Sequence, residues 1–166
     1  MSYEEKFRQK VKESIINTDY PPSYGDKNWN FCILNCYAYA LNVNISDPKR
    51  CMWVPGVISG KRTDLRFTEN TYEWTLCDLD YLGFTYREDD GSPLNPGEYR
   101  IAFYYMYNFF VFPIGFHFIR QDSNGEWSEK PSWKDKVHKM NCFGNIPPDL
   151  EESNLFLEKV LVIAKK

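Results

Sequence analysis

Between Ile101 and Ile119 the chain reads IAFYYMYNFFVFPIGFHFI, 19 residues without a Lys, Arg, Asp or Glu. A run this apolar has to be buried, in a bilayer or in a protein core. Its length suffices for one membrane-spanning helix. Against that, Asn108, Pro113, Gly115 and His117 interrupt it, and its apolar residues are mainly aromatic rather than Leu. Two buried strands joined near Asn108 to Pro113 fit this chemistry better, and no membrane span is expected.

The rest of the chain is arranged around that pair. Upstream, Phe7, Val11 and Ile15 make one apolar stripe at i, i+4, i+8 and predict an amphipathic helix over Tyr3 to Ile16. Asp19 to Asn30 carries Pro21, Pro22 and Gly25 and reads as turns. A short apolar helix is predicted at about Asn35 to Leu41, and a long polar surface loop or lid from Asn42 to Thr68. Tyr72, Leu76 and Leu79 give helical spacing over Asn70 to Leu82, with Gly83 as the stop. Downstream the period changes from helical to alternating. Strands are predicted at Tyr99 to Tyr107, Gly115 to Gln121, Glu126 to Lys130 and Phe156 to Ala164, with a hairpin turn at Asp122 to Gly125. Helices first and strands after is the pattern of an α+β domain, here N-terminal helices packed on an antiparallel sheet. At 166 residues there is chain for one such domain.

Charge and cysteine usage exclude several functions. Lys and Arg number 20 against 23 Asp and Glu, a net charge of −3, so there is no basic footprint for nucleic acid. Five Cys, at 32, 36, 51, 77 and 142, are an odd number without a CxxC or a Cys/His cluster, which argues against a disulfide framework and against a zinc site. The start, MSYEEKFRQKVKESII, alternates charge and has no apolar signal core, so a cytoplasmic location, or export without a Sec signal, is expected. Asp89, Asp90 and Gly91 read as a turn, and neither a phosphate-binding Gly-rich loop nor a GxSxG elbow is present.

Reactive chemistry centres on Cys36, in NCYAYALN. A thiol at a helix start beside a cation has its pKa lowered from about 8.5 into the range of roughly 3.5–7.5, and the thiolate is the nucleophile. The plainer alternative is a small core residue, since free Cys is commonly buried. A nucleophile needs a base, and there are two histidines. His138, in KDKVHKM, has charged neighbours and is expected to be solvated. His117, in GFHFIRQD, lies on a predicted strand and shares a face with Ile119 and Gln121, while Phe116, Phe118 and Arg120 share the other. The hairpin brings the next strand beside it, so that Glu129 can orient the imidazole; Ser128, Gln121 and Asp122 compete for that role, and register decides among them. An oxyanion hole can draw on the Cys36 backbone N–H and on the Asn30 side chain, with Asn28 and Asn35 as rivals. Trp127 and Trp133 flank the hairpin and, with Trp53 in the loop, are candidates for the wall of a substrate groove, although burial is the default for Trp.

The order of these parts, a Cys at a helix start, a His on a strand about eighty residues later and a polar residue on the next strand, resembles the papain-like cysteine peptidase superfamily in its small, compact form. The cell-wall endopeptidase and amidase branch is the part of that superfamily it resembles. The blocks NCYAYAL and FHFIRQDSNGEWSEKP are also similar to motifs of microbial and viral proteins with a presumed papain-like fold. The resemblance covers roughly residues 28 to 133. It implies Cys36 as nucleophile, His117 as base, Glu129 as the orienting group and Asn30 as the oxyanion side chain. Two positions depart from the pattern: Glu129 stands where a His is frequent, and Asn30 where Gln is usual. The implied function is cysteine-dependent hydrolysis of an amide bond in a peptide or protein substrate, as peptidase, amidase or deamidase, with no metal or cofactor. A non-enzymatic binding or inhibitor protein with an incomplete site, and an acyl transferase using the same residues, are the alternatives.

Overall fold

The computed structural model describes residues 1–16, 18–25, 29, 35–45, 53–62, 70–107, 113–132 and 135–166. Among the described residues three α-helices precede a six-stranded sheet, the expected α+β arrangement. They are α1 (Tyr3–Ile16), α2 (Cys36–Ala40) and α3 (Thr71–Leu82). The strands are β1 (Phe84–Glu88), β2 (Tyr99–Tyr107), β3 (Pro113–Gln121), β4 (Glu126–Glu129), β5 (His138–Phe143) and β6 (Leu155–Lys165). They lie in the order β1-β6-β2-β3-β4-β5, and every pairing is antiparallel.

The charge-free run supplies the centre of this sheet. β2 and β3 pair from Ile101↔Arg120 to Tyr107↔Pro113, and the residues between the two strands lie outside those described. Alternation along β2 feeds two cores. Tyr99, Ile101, Phe103 and Tyr105 face the helices and pack with Phe7, Val11, Ile15, Tyr37 and Leu79. Ala102 and Tyr104 face the other way and join Ile119 and Trp127 in a smaller cluster. Burial on both faces over Ile101–Tyr105 and His117–Ile119 fits the absence of charge in those stretches. No described helix is long and apolar enough to cross a membrane.

The stripe on α1 is as expected, with Phe7, Val11 and Ile15 buried. The buried face of α3 is not. It runs through Thr71, Thr75, Asp78, Leu79 and Leu82, while Tyr72 and Leu76 are only half-buried. The face turns because Asp78 is drawn inward, accepting the Tyr37 hydroxyl at 2.8 Å and the N–H groups of Gly56 and Ser59, each at 2.7 Å. Burial, only partly offset by these bonds, raises the Asp78 pKa above the ordinary carboxylate value. The helix ends at Gly83, whose φ of +79° is the left-handed stop that glycine adopts without strain.

Over its described residues the expected lid is corrected by the same contacts, while 46–52 and 63–68 of it lie outside the described residues. Residues 53–62 are fastened to α3 through Asp78, and Trp53, Ile58 and Val57 are buried in the core. Gly56 has backbone so close to Arg62 and Trp74 that a Cβ would sit 2.8 Å from the Arg62 Cβ. Two strands, β1 and β5, were not expected. Both are sheet edges: FTYRE and HKMNCF lack a full apolar face because only one neighbour pairs with them.

Candidate active site

Asn35 defines where α2 begins. Its backbone is extended, and its Oδ1 accepts from the N–H groups of Tyr37 (3.0 Å) and Ala38 (3.2 Å). Its Nδ2 donates to the Trp53 carbonyl at 2.5 Å, tying the helix start to the 53–62 segment. Asn35 is thereby spent as a cap, and its amide is not an oxyanion donor. Cys36 is the first helical residue, so its N–H has no acceptor within the helix. Apolar burial of Ala38, Ala40 and Leu41 seats the helix, and Cys36 itself is 5% exposed. Five residues align few peptide dipoles, so the cation that matters to this thiol is the imidazole.

His117 is 6% exposed on β3. Its Nε2 meets Glu129 Oε2 at 2.5 Å, and the ring is also hydrogen-bonded to Cys36. With Nε2 taken by the carboxylate, Nδ1 is the nitrogen left for the thiol. Register explains the pairing with Glu129. β3 and β4 pair at Arg120↔Ser128 and Gln121↔Trp127, which puts Glu129 one step further on the face that His117 occupies. That ladder stops short of His117, and α2 packs on the opposite face through Tyr37, whose ring lies 5.0 Å from that of Phe118.

Burial alone would lower the pKa of His117. The hydrogen bonds to Cys36 and Glu129, and the negative charge on each, outweigh burial and raise it from 6.5 to about 10. Cys36, His117 and Glu129 thus form a continuous array, buried at Cys36 and His117 and half-buried at Glu129, that favours a proton on the imidazole.

The competing third groups are engaged elsewhere. Ser128 donates to Asp122 at 2.5 Å, Asp122 also accepts from Arg120 at 3.0 Å, and Gln121 is held by Arg100 and the Gly144 carbonyl. His138 is exposed on β5. Asn28 and Asn30, both oxyanion candidates, and Trp133 lie outside the described residues.

Trp53 and Trp127 are corrections. Both are 0% exposed, so neither can form the wall of a substrate groove. Trp53 packs edge-on against Phe7 at 5.2 Å, and the Trp127 indole donates to the Gly144 carbonyl at 2.9 Å. What the sequence reading missed is the support around the triad, namely Asp78, Tyr39 and Arg120. Arg120 carried a signal: a lone cation on a strand face shared with Phe116 and Phe118 requires a buried partner. No family model, curated protein or solved structure matches this chain.

Proposed function

We propose that this chain is a cysteine-dependent hydrolase of amide bonds, with a papain-like arrangement of nucleophile, base and orienting carboxylate. The single observation that carries the reading is the placement of the buried His117 ring between Cys36 on one side and Glu129 on the other. A core cysteine needs neither a buried histidine nor a carboxylate behind it.

In this mechanism His117 holds the proton and Cys36 is the thiolate. The sulfur attacks the carbonyl carbon, and the carbonyl oxygen becomes an oxyanion near the Cys36 N–H. Collapse of the adduct breaks the C–N bond, with the His117 proton passing to the departing amine. Water, deprotonated by His117, then attacks the thioester and regenerates the thiolate as the acid leaves. Glu129 stays ionised throughout and fixes the ring.

Iodoacetamide labelling of the native protein across pH 5 to 9, read cysteine by cysteine by mass spectrometry, tests this. Cys36 is expected to label much faster than Cys77 and Cys142 below pH 7, and His117→Ala to abolish that lead. Equal rates for the three cysteines in the wild type would refute the thiolate–imidazolium pair.

A further inference from the structure

Behind the triad, on the helix-facing side of the sheet, a second set of side chains closes a ring of hydrogen bonds. Arg120 Nε donates to Asp122 Oδ1 at 3.0 Å. Ser128 Oγ donates to Asp122 Oδ2 at 2.5 Å. With the Ser128 proton so used, the Tyr39 hydroxyl is the donor in its 2.7 Å bond to Ser128 Oγ. Arg120 Nη1 completes the ring by donating to the Tyr39 carbonyl at 3.1 Å, and the guanidinium lies over the Tyr39 ring 3.9 Å from its centroid. Tyr39, Arg120 and Ser128 are 0% exposed and Asp122 is 3% exposed.

The placement of these residues gives the ring its meaning. Tyr39 is three residues after Cys36 on α2. Arg120 is three residues after His117 on β3, and Ser128 immediately precedes Glu129 on β4. Each element that carries a member of the triad is therefore held by a neighbouring residue whose side chain lies in the ring. A buried ion pair such as Arg120–Asp122 adds little net stability, because desolvation offsets the attraction, yet its geometry is demanding. Such a group sets positions more than it adds free energy.

We propose that Tyr39, Ser128, Asp122 and Arg120 form a positioning circuit that fixes the register of Cys36, His117 and Glu129. The proposal rests on the catalytic reading above. None of the four touches substrate, and they act only through the elements they join.

The test uses Tyr39→Phe, which cuts the link to Ser128, and Ser128→Ala, which cuts the links to both Tyr39 and Asp122; each leaves the Arg120–Asp122 pair in place. Near-ultraviolet circular dichroism and urea unfolding report the fold, and the pH profile of Cys36 alkylation reports the site. Both variants are expected to fold. Their Cys36 rate at pH 6 is expected to fall by about tenfold or more, since small misplacements at a reacting centre are amplified in rate, while the rate at pH 9.5 stays near that of the wild type. Gly83→Ala, destabilised far from the circuit, should retain the wild-type profile. A folded Tyr39→Phe or Ser128→Ala protein whose profile overlays the wild type overturns the proposal. So does failure of both to fold, because the circuit would then hold the domain rather than the register of the site. A wild-type profile that does not depend on His117 overturns the catalytic reading and this proposal together, and so differs from the first outcome.

Discussion

Replacing Glu129 by Gln isolates the share of the carboxylate in the state of His117. The amide keeps an oxygen for Nε2 and removes the charge. Burial is the largest single influence on the ring and lowers its pKa; Cys36 and Glu129 together bring it to about 10. A hydrogen bond to a charged group is worth about 1.5 kcal/mol more than a neutral one. At about 1.4 kcal/mol per pKa unit, Glu129→Gln should lower the His117 midpoint by about one unit. Adding Cys36→Ala leaves burial opposed only by a neutral acceptor, and the midpoint should fall below 6.5. The chain has two histidines, so NMR titration of labelled imidazoles reads His117 directly, with His138→Asn assigning the other resonance. Stability follows the same sign. Because the folded pKa lies above the unfolded value, the His117 contribution is complete below pH 6.5 and is lost as pH rises toward 10. In urea unfolding, the wild type should lose stability across that window, and the double variant, which lacks this contribution, should lose little. A His117 midpoint unmoved by Glu129→Gln, or one still above 6.5 in the double variant, would refute the argument.

Two further predictions concern the scaffold. Asp78→Ala leaves the Tyr37 hydroxyl and the N–H groups of Gly56 and Ser59 without their acceptor. At about 1–3 kcal/mol for each stranded buried donor, urea unfolding should show a loss of about 3 kcal/mol or more. Trp53→Ala opens a cavity in the core and should cost about 3–5 kcal/mol. Where the variant stays folded, Cys36 alkylation should keep its wild-type pH profile; a selective change in that profile would give the Trp53 side chain a part in the site.

What could be read from the sequence depended on how many neighbours a residue has within its own element. The α1 stripe and the central strands were legible because burial repeats along them with a fixed period. The edges β1 and β5 were not, since FTYRE and HKMNCF satisfy their backbones without building an apolar face. On α3, the pull of Asp78 toward donors on residues 56 and 59 rotated the buried face, and that is a tertiary effect no local pattern contains. Trp53 and Trp127 show the limit from the other direction. An aromatic in a loop or hairpin reads equally as wall or core, and only the packing of Phe7 and the Gly144 carbonyl decides for core. Glu129 could be named from the sequence because alternation put His117 on a definite face, but excluding Ser128, Gln121 and Asp122 required the register.

A pKa of about 10 would make His117 a poor donor to a leaving amine, but that value belongs to the resting site. In the proposed mechanism Cys36 and Glu129 both support the imidazolium there, and attack on the substrate consumes the charge of one of them. When the Cys36 sulfur bonds to carbon its charge passes to the oxyanion, away from the ring. Burial is then opposed by Glu129 alone, and the proton becomes easier to give up at the step where the amine needs it. Cys36→Ala imitates that stage, since it removes the thiolate and leaves Glu129 in place. Its His117 midpoint should fall between those of the wild type and the Cys36→Ala/Glu129→Gln double variant, and the drop from the wild type measures how much acidity the ring gains when the sulfur is used. If Cys36→Ala leaves the midpoint near 10, Glu129 alone holds the proton, and His117 cannot serve as the acid that the proposed mechanism requires.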